Sequence, residues 1–208
     1  MQPLYLVAVT AGMSQPSSTR LLADRLTDAA QRQLAHTGRP AEVRVIELRD
    51  LATAIAQNMV TGFPSTALRE AIEAVTRADG LIAVTPVFTA SYSGLFKSFF
   101  DVLDNEALVD KPVLIAATGG TARHSLVLDH ALRPLFSYLR AAVVPTGVYA
   151  ASEDWGTAGD DRTDGLATRI ERAAGQLARL AAGTAPQPRQ KTEEVVPFAE
   201  QLAAIRGS

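Results

Sequence analysis

Cysteine is absent from the 208 residues, which excludes disulfides, thiolate metal sites and cysteine nucleophiles at once. Its absence fits a reducing compartment, and the cytoplasm is the expected location. Histidine is scarce, with three in the chain. His36 and His130 fall on helix patterns as surface residues, and His124 is placed to cap a helix, face solvent or reach a pocket. None pairs with a carboxylate at H-E-x-x-H or similar spacing, so no metal site is expected. The G-x-S-x-G nucleophile elbow is missing too. An excess of one charge is also lacking: 20 Lys plus Arg stand against 22 Asp plus Glu, for a net charge of -2. That balance offers no basic face to nucleic acid or to an anionic membrane. The apolar run that opens the chain ends by Thr10, too short for a signal peptide or a membrane span.

What is present is a soluble globular composition, 47% hydrophobic and 20% charged, at a length that suits one α/β domain. Leu4 to Val9 is a continuous apolar run, as in a central parallel strand covered on both faces. Helical spacing follows from Arg20 to Leu34, and Val43 to Leu48 gives a second strand. A short helix is expected between Leu51 and Phe63, then a helix capped by Ser65. Leu81 to Val84 is a third strand, which Pro86 is expected to end. Pro112 to Thr118 is the fourth strand. Leu126 to Leu139 is a helix with a kink or break at Pro134. The fifth strand, Val143 to Tyr149, is expected to be interrupted or at an edge because of Pro145. An acidic loop from Ser152 to Asp164 and a helix from Leu166 to Leu180 complete the pattern. The alternation predicts an α/β three-layer sandwich: a five-stranded parallel sheet, order 2-1-3-4-5, with helices on both faces. Residues 1–182 form the domain, and 183–208 a C-terminal extension with one more short helix over 195–205.

The stretch that organises the chain is T-P-V-F-T-A-S-Y-S-G-L-F-K-S-F-F-D, Thr85 to Asp101. Open α/β sheets build ligand sites where strands give way to helices at their carboxyl ends. Here Pro86 stiffens the loop, and Phe88 and Tyr92 supply flat apolar surface. Ala90, Ser91, Ser93 and Gly94 let a ligand approach the backbone. Those properties suit a flat heteroaromatic ring; they also suit an ordinary strand-to-helix connection. A second signal lies in Thr10 to Thr19, a hydroxyl-rich loop that opens a helix, where free N–H groups and the helix dipole favour an anion. Ser14, Ser17, Ser18 and Thr19 add donors, although Ser18 or Thr19 could equally serve as the helix cap. The loop is neither G-x-x-x-x-G-K-[ST] nor G-x-G-x-x-G, so it suits a phosphate monoester better than a nucleoside triphosphate. Gly119-Gly120, after the fourth strand, is the third signal.

T-P-V-F-x-x-S-Y-S-G-L-F-K-x-F-x-D resembles the T-P-x-Y-x-x-S-x-x-G-x-x-K-x-x-x-D signature of flavodoxin-like NAD(P)H-dependent FMN reductases. The resemblance covers Leu4 to about Trp155. It implies that Pro86, Val87, Phe88, Thr89 and Ser91 carry the flavin ring, with Phe88 in place of the usual Tyr. G-M-S-Q-P-S-S-T is similar to the family's phosphate loop, and Gln15 stands near the place of an arginine that many members have there. Thr118, Gly119 and Gly120 are implied to approach the ring through their backbone. The implied activity is hydride transfer from NADPH or NADH to FMN, with no protein acid or base carrying the chemistry. Reduced flavin would then supply a monooxygenase, or reduce a quinone or azo compound. Arg20 and Arg123 are candidates for meeting a 2′-phosphate. A non-enzymatic flavodoxin-like electron carrier is the alternative, and the modest net charge weighs against it. A flavin-free protein holding another phosphate ligand is a third. A homodimer, or a dimer of dimers, is expected to bury the apolar helix Gly94 to Leu103 close to the flavin.

Overall fold

The computed structural model describes residues 3–155 and 165–183. The expected helix over 195–205, the rest of the extension beyond 183 and the acidic loop over 156–164 lie outside the described residues. Seven strands make one sheet: β1 (Leu4–Thr10), β2 (Ala41–Glu47), β3 (Gly80–Phe88), β4 (Ser91–Tyr92), β5 (Pro112–Gly119), β6 (Ala142–Val143) and β7 (Val148–Ala151). The order is β2-β1-β3-β5-β6, with β4 antiparallel on β3 and β7 parallel beside β5. The helices are α1 (Ser18–His36), α2 (Ala52–Thr61), α3 (Thr66–Arg77), α4 (Gly94–Asp101), α5 (Arg133–Tyr138) and α6 (Leu166–Gly183).

Seven strands in the order β2-β1-β3-β5-β6 replace the expected five in the order 2-1-3-4-5, for two local reasons. The first is Pro145, which lies between β6 and β7 where no ladder bond is needed. β6 pairs Ala142 with Pro112, and β7 resumes with Val148 opposite Ala116, so one strand line is split in two. The second is a tight hairpin, in which Val87 pairs with Tyr92 and Phe88 with Ser91. Its two turn residues, Thr89 and Ala90, have φ of 48° and 65°, the left-handed geometry of the turn that matches strand twist. A second correction concerns Pro86, which does not end β3 but pairs in register with Thr118. The carbonyl of Val84 accepts from Ala11 on the β1 side. Pro86, two residues on, faces that same side beyond the end of β1, so its missing N–H breaks no ladder bond.

Alternate residues of each central strand feed two cores. Val7, Val9, Leu81, Ala83 and Ile115 pack against Ile55, Val75, Phe96, Phe99 and Phe136 of α2 to α5. Leu6, Ala8, Ile82, Val84 and Leu114 pack against Leu22, Leu26, Ile170 and Leu177 of α1 and α6. Parallel strands buried on both faces read as unbroken apolar runs for this reason. The α4 apolar surface is consumed inside the chain: Phe96, Phe99, Phe100 and Leu103 are all buried. Phe100 meets Phe96 and Phe136 at ring separations of 4.7 and 5.0 Å. Most of the excess apolar surface from which a dimer was expected is therefore core, while Leu95 and Val102 stay half-buried. Before α5 the chain makes a π turn, Leu128–Leu132. The helix restarts at Arg133 with Pro134 in its first turn, where a missing N–H costs no helical bond. Among the described residues no helix is long and apolar enough to cross a membrane.

Candidate functional site

Loops leaving the carboxyl ends of β1, β3 and β5 meet at one edge of the sheet, as the sheet order requires. The loop after β1 is exposed from Met13 to Pro16, while Gly12 and Thr19 are buried. Ser17, neither Ser18 nor Thr19, is the N-cap of α1, its hydroxyl accepting from the Arg20 N–H at 3.2 Å. The N–H groups of Ser18 and Thr19 are left at the open end of a 19-residue helix. A Cβ on Gly12 would stand 2.0 Å from the Ser17 hydroxyl, so only glycine allows this loop to close so tightly.

Thr19 and Thr118 share a hydrogen bond of 2.8 Å between their hydroxyls, and both are buried. The bond joins the start of α1 to the end of β5 across 99 residues of sequence. Thr10, 1% exposed at the end of β1, has a hydroxyl with no partner.

The hairpin that carries Pro86 to Ser91 is fastened at its base by Thr85. The Thr85 hydroxyl accepts from the Ser93 N–H at 3.0 Å and donates to the Pro86 carbonyl at 3.0 Å. Ser93 then caps α4 by accepting from the Phe96 N–H. Phe88 is 48% exposed at the end of β3, and Thr89 is exposed beside it. Opposite lies the glycine pair. A Cβ on Gly119 would fall 2.0 Å from the Tyr149 hydroxyl, whereas one on Gly120 would meet nothing within 4 Å. Tyr149 donates to the Thr121 carbonyl at 2.8 Å and so braces the turn. Burial, with Glu153 and Asp154 nearby, raises the Tyr149 phenol above its ordinary pKa, which keeps it a donor.

Sequence reasoning missed Arg49 and Tyr149, and it named Thr10 and Thr85 only as the first residues of the two stretches, with no role of their own. Arg49, from the 3₁₀ turn after β2, donates to the Ser14 carbonyl at 3.4 Å. With the Gln15 carboxamide oriented to face it, Arg49 also donates to that oxygen, at 2.9 Å from Nη1. A cation thus stands beside Gln15. Glu47 is held between Arg49 and Arg20, so its charge is matched on both sides. The hydrogen bond that Arg20 donates to the Asp24 carboxylate is the largest influence raising the Arg20 pKa. A polar residue ending an apolar strand was the one sequence signal available for Thr10. Arg49 and Tyr149 had none, since their partners are distant in the chain.

The model of the NADPH-dependent FMN reductase family matches residues 4–156. The chain belongs to that family. An FMN reductase (NADPH) of Pseudomonas aeruginosa is 40% identical over 184 residues, covering 87% of this chain and 94% of the relative. An NADH-dependent FMN reductase, SfnF, of Pseudomonas fluorescens is also 40% identical, covering 86% and 92%. A solved oxidoreductase of Corynebacterium diphtheriae superposes with a TM-score of 0.84 at 48% identity, covering 88% of this chain and 99% of its own. The architecture is the flavodoxin-like α/β fold.

The residues present fit the FMN of this reductase family. The glycine-closed loop, the open N–H groups of α1 and the unpartnered Thr10 hydroxyl all offer capacity for a phosphate. The open space over Gly120 and the exposed Phe88 leave room for a planar ring.

Proposed function

We propose that this FMN reductase binds the FMN phosphate in the loop Ser14 to Thr19 and the isoalloxazine ring between two turns, and that NADPH or NADH supplies the hydride. Ser14, Ser17, Ser18 and Thr19 would hold the phosphate, with Gln15 adding a neutral carboxamide and Arg49 a positive charge at its side. Pro86, Val87, Phe88, Thr89 and Ser91 would lie along one edge of the ring, with Thr118, Gly119 and Gly120 against the other. The observation that carries the reading is the Thr19–Thr118 hydroxyl bond, which makes the phosphate loop and the glycine turn one rigid unit. When bound, the flavin supplies the hydride-accepting chemistry, and the protein contributes binding, orientation and electrostatics. The Thr85 clasp holds the hairpin turn in shape, and the Tyr149 brace does the same for the turn after β5. Phosphate-loop donors favour FMN over riboflavin, and a closed loop favours it over FAD, whose adenosine needs an exit.

The finer expectations belong to the same reading. A homodimer or dimer of dimers is supported by Val60 and Phe63, 88% and 82% exposed on and just after α2. Reduced flavin would be handed to a monooxygenase, or used on a quinone or azo acceptor, in the cytoplasm. Residues 1–182 act as the reductase domain and 183–208 as an appended segment. Titration with FMN followed by anaerobic NADPH tests the core of it. The expected result is a shifted flavin spectrum that bleaches on addition of the dinucleotide. Protein that takes up no flavin, and oxidises neither NADH nor NADPH with FMN added, would overturn it.

A further inference from the structure

A concavity of about 330 Å³ adjoins the ring site. Its walls include Ala90 and Ser91 at the tip of the β3–β4 hairpin, and Arg123, His124, Leu126 and His130 beyond the glycine pair. The volume is at the lower end for small-molecule sites, enough for part of a dinucleotide and too small for all of it. One guanidinium and two imidazoles line it, and among the described residues no carboxylate does. Asp129, next to His130 in sequence, is paired with Arg133 at 3.1 Å.

The two arginines first considered for a 2′-phosphate differ in what holds them. Arg20 is fixed by Asp24 and Glu47. Arg123 is exposed and forms no ion pair with a carboxylate among the described residues, so its fork of donors is available to a dianion. Leu126, 61% exposed at the same concavity, offers apolar surface to a base. Relatives at the same 40% identity use NADPH in one case and NADH in the other. Family membership therefore leaves coenzyme choice to residues such as these.

We propose that this cavity receives the 2′-phosphorylated adenosine end of NADPH, and that Arg123 selects NADPH over NADH. His124 and His130 add N–H donors to the same phosphate. The assignment rests on the reading above, in which the nicotinamide end lies at the flavin ring: Arg123 follows Gly120 by three residues, and Ala90 follows Phe88 by two.

The test uses the full chain loaded with FMN and two fragments that cannot reduce flavin, 2′,5′-ADP and 5′-AMP. Calorimetry should show 2′,5′-ADP bound about tenfold or more tightly than 5′-AMP, the range of one charge-assisted contact. Arg123→Ala should erase that difference and lower the ratio of kcat/KM for NADPH over NADH about tenfold, while FMN affinity holds. Arg123→Lys should restore part of the ratio, since it keeps the charge and loses the fork. Equal affinity of the wild-type protein for the two fragments overturns the assignment. So does an Arg123→Ala protein that loses NADH and NADPH efficiency alike, or a second copy of the chain that seals the cavity against both fragments. If the protein reduces no FMN yet still prefers 2′,5′-ADP, the cavity stands and the reductase reading falls. If it reduces FMN with both dinucleotides and binds the fragments equally, the reductase stands and the cavity falls.

Discussion

At the amino edge of the sheet the buried polar groups are charged and complete. The Lys111 ammonium is 5% exposed and donates to the carbonyls of Thr76, at 3.2 Å, and Ala78, at 2.6 Å. Asp79 accepts from the Tyr5 N–H at 2.8 Å, tying β1 to the turn before β3. At the carboxyl edge the buried groups are neutral hydroxyls, and one of them is incomplete. Thr19 and Thr118 satisfy each other, while Thr10 has no partner. A charge buried at an edge that never opens must be matched within the chain. Hydroxyls can wait for a ligand, because a neutral group left unpaired costs far less than a charge. The first edge holds the fold; the second holds spare donors for a ligand.

The largest expected effect comes from the finished edge. Burial pushes the Lys111 ammonium down from 10.5 to about 8, with Asp79 opposing the shift. The folded state therefore binds fewer protons than the unfolded chain between those values, so stability should rise as pH climbs from about 8 to 10.5. The full shift corresponds to about 3 kcal/mol at 1.36 kcal/mol per pKa unit. Urea unfolding at pH 7.5 and 9.5 measures the rise, and Lys111→Met should flatten it. A wild-type midpoint that is level or falling across that window would remove the contrast between the edges.

A smaller effect separates the two glycines. Gly119→Ala drives a Cβ into the Tyr149 hydroxyl and should cost roughly 2 kcal/mol of stability, typical of overpacking. Tyr149→Phe in the same chain should recover most of that loss by removing the colliding oxygen. Gly120→Ala meets open space, so it should leave stability unchanged and weaken flavin binding alone. Thermal unfolding and FMN titration of the three variants separate these outcomes. Equal stability losses at 119 and 120 would contradict the geometry.

The smallest effect belongs to the hydroxyl pair. Thr19→Val and Thr118→Val should each cost about 1 kcal/mol, and the double variant less than their sum, because both remove one bond. FMN affinity should fall more than riboflavin affinity in Thr19→Val. Strictly additive losses, or equal losses for the two flavins, would detach the proposed phosphate loop from the glycine turn.

Much of this was legible in the chain as written. Leu4 to Val9 and Leu81 to Val84 read as central strands because apolar side chains are needed on both faces there. The three loops of the site were located because each follows such a strand. Pro145 did interrupt the last strand line. Other features depended on neighbours. Among four hydroxyl residues in one loop, the choice of Ser17 as cap follows from where Gly12 lets the backbone turn. Pro86 reads as a strand stop, and is none, because β1 ends two residues before it would need the missing N–H. The α4 phenylalanines look like an interface and are core, because Phe136 and α2 cover them.

The sequence by itself determined the layering, the family and the three loops, since periodicity and short motifs act over a few residues. Tertiary structure alone decided which polar groups are spent and which are free. Lys111 is placed by the carbonyls of Thr76 and Ala78 at the end of α3, and Arg20 and Arg123 are equivalent until Asp24 and Glu47 occupy one of them. Thr19 and Thr118 meet across 99 residues. Hydrogen bonds and ion pairs form at about 3 Å, and no local pattern in a chain says which distant groups will come within that reach.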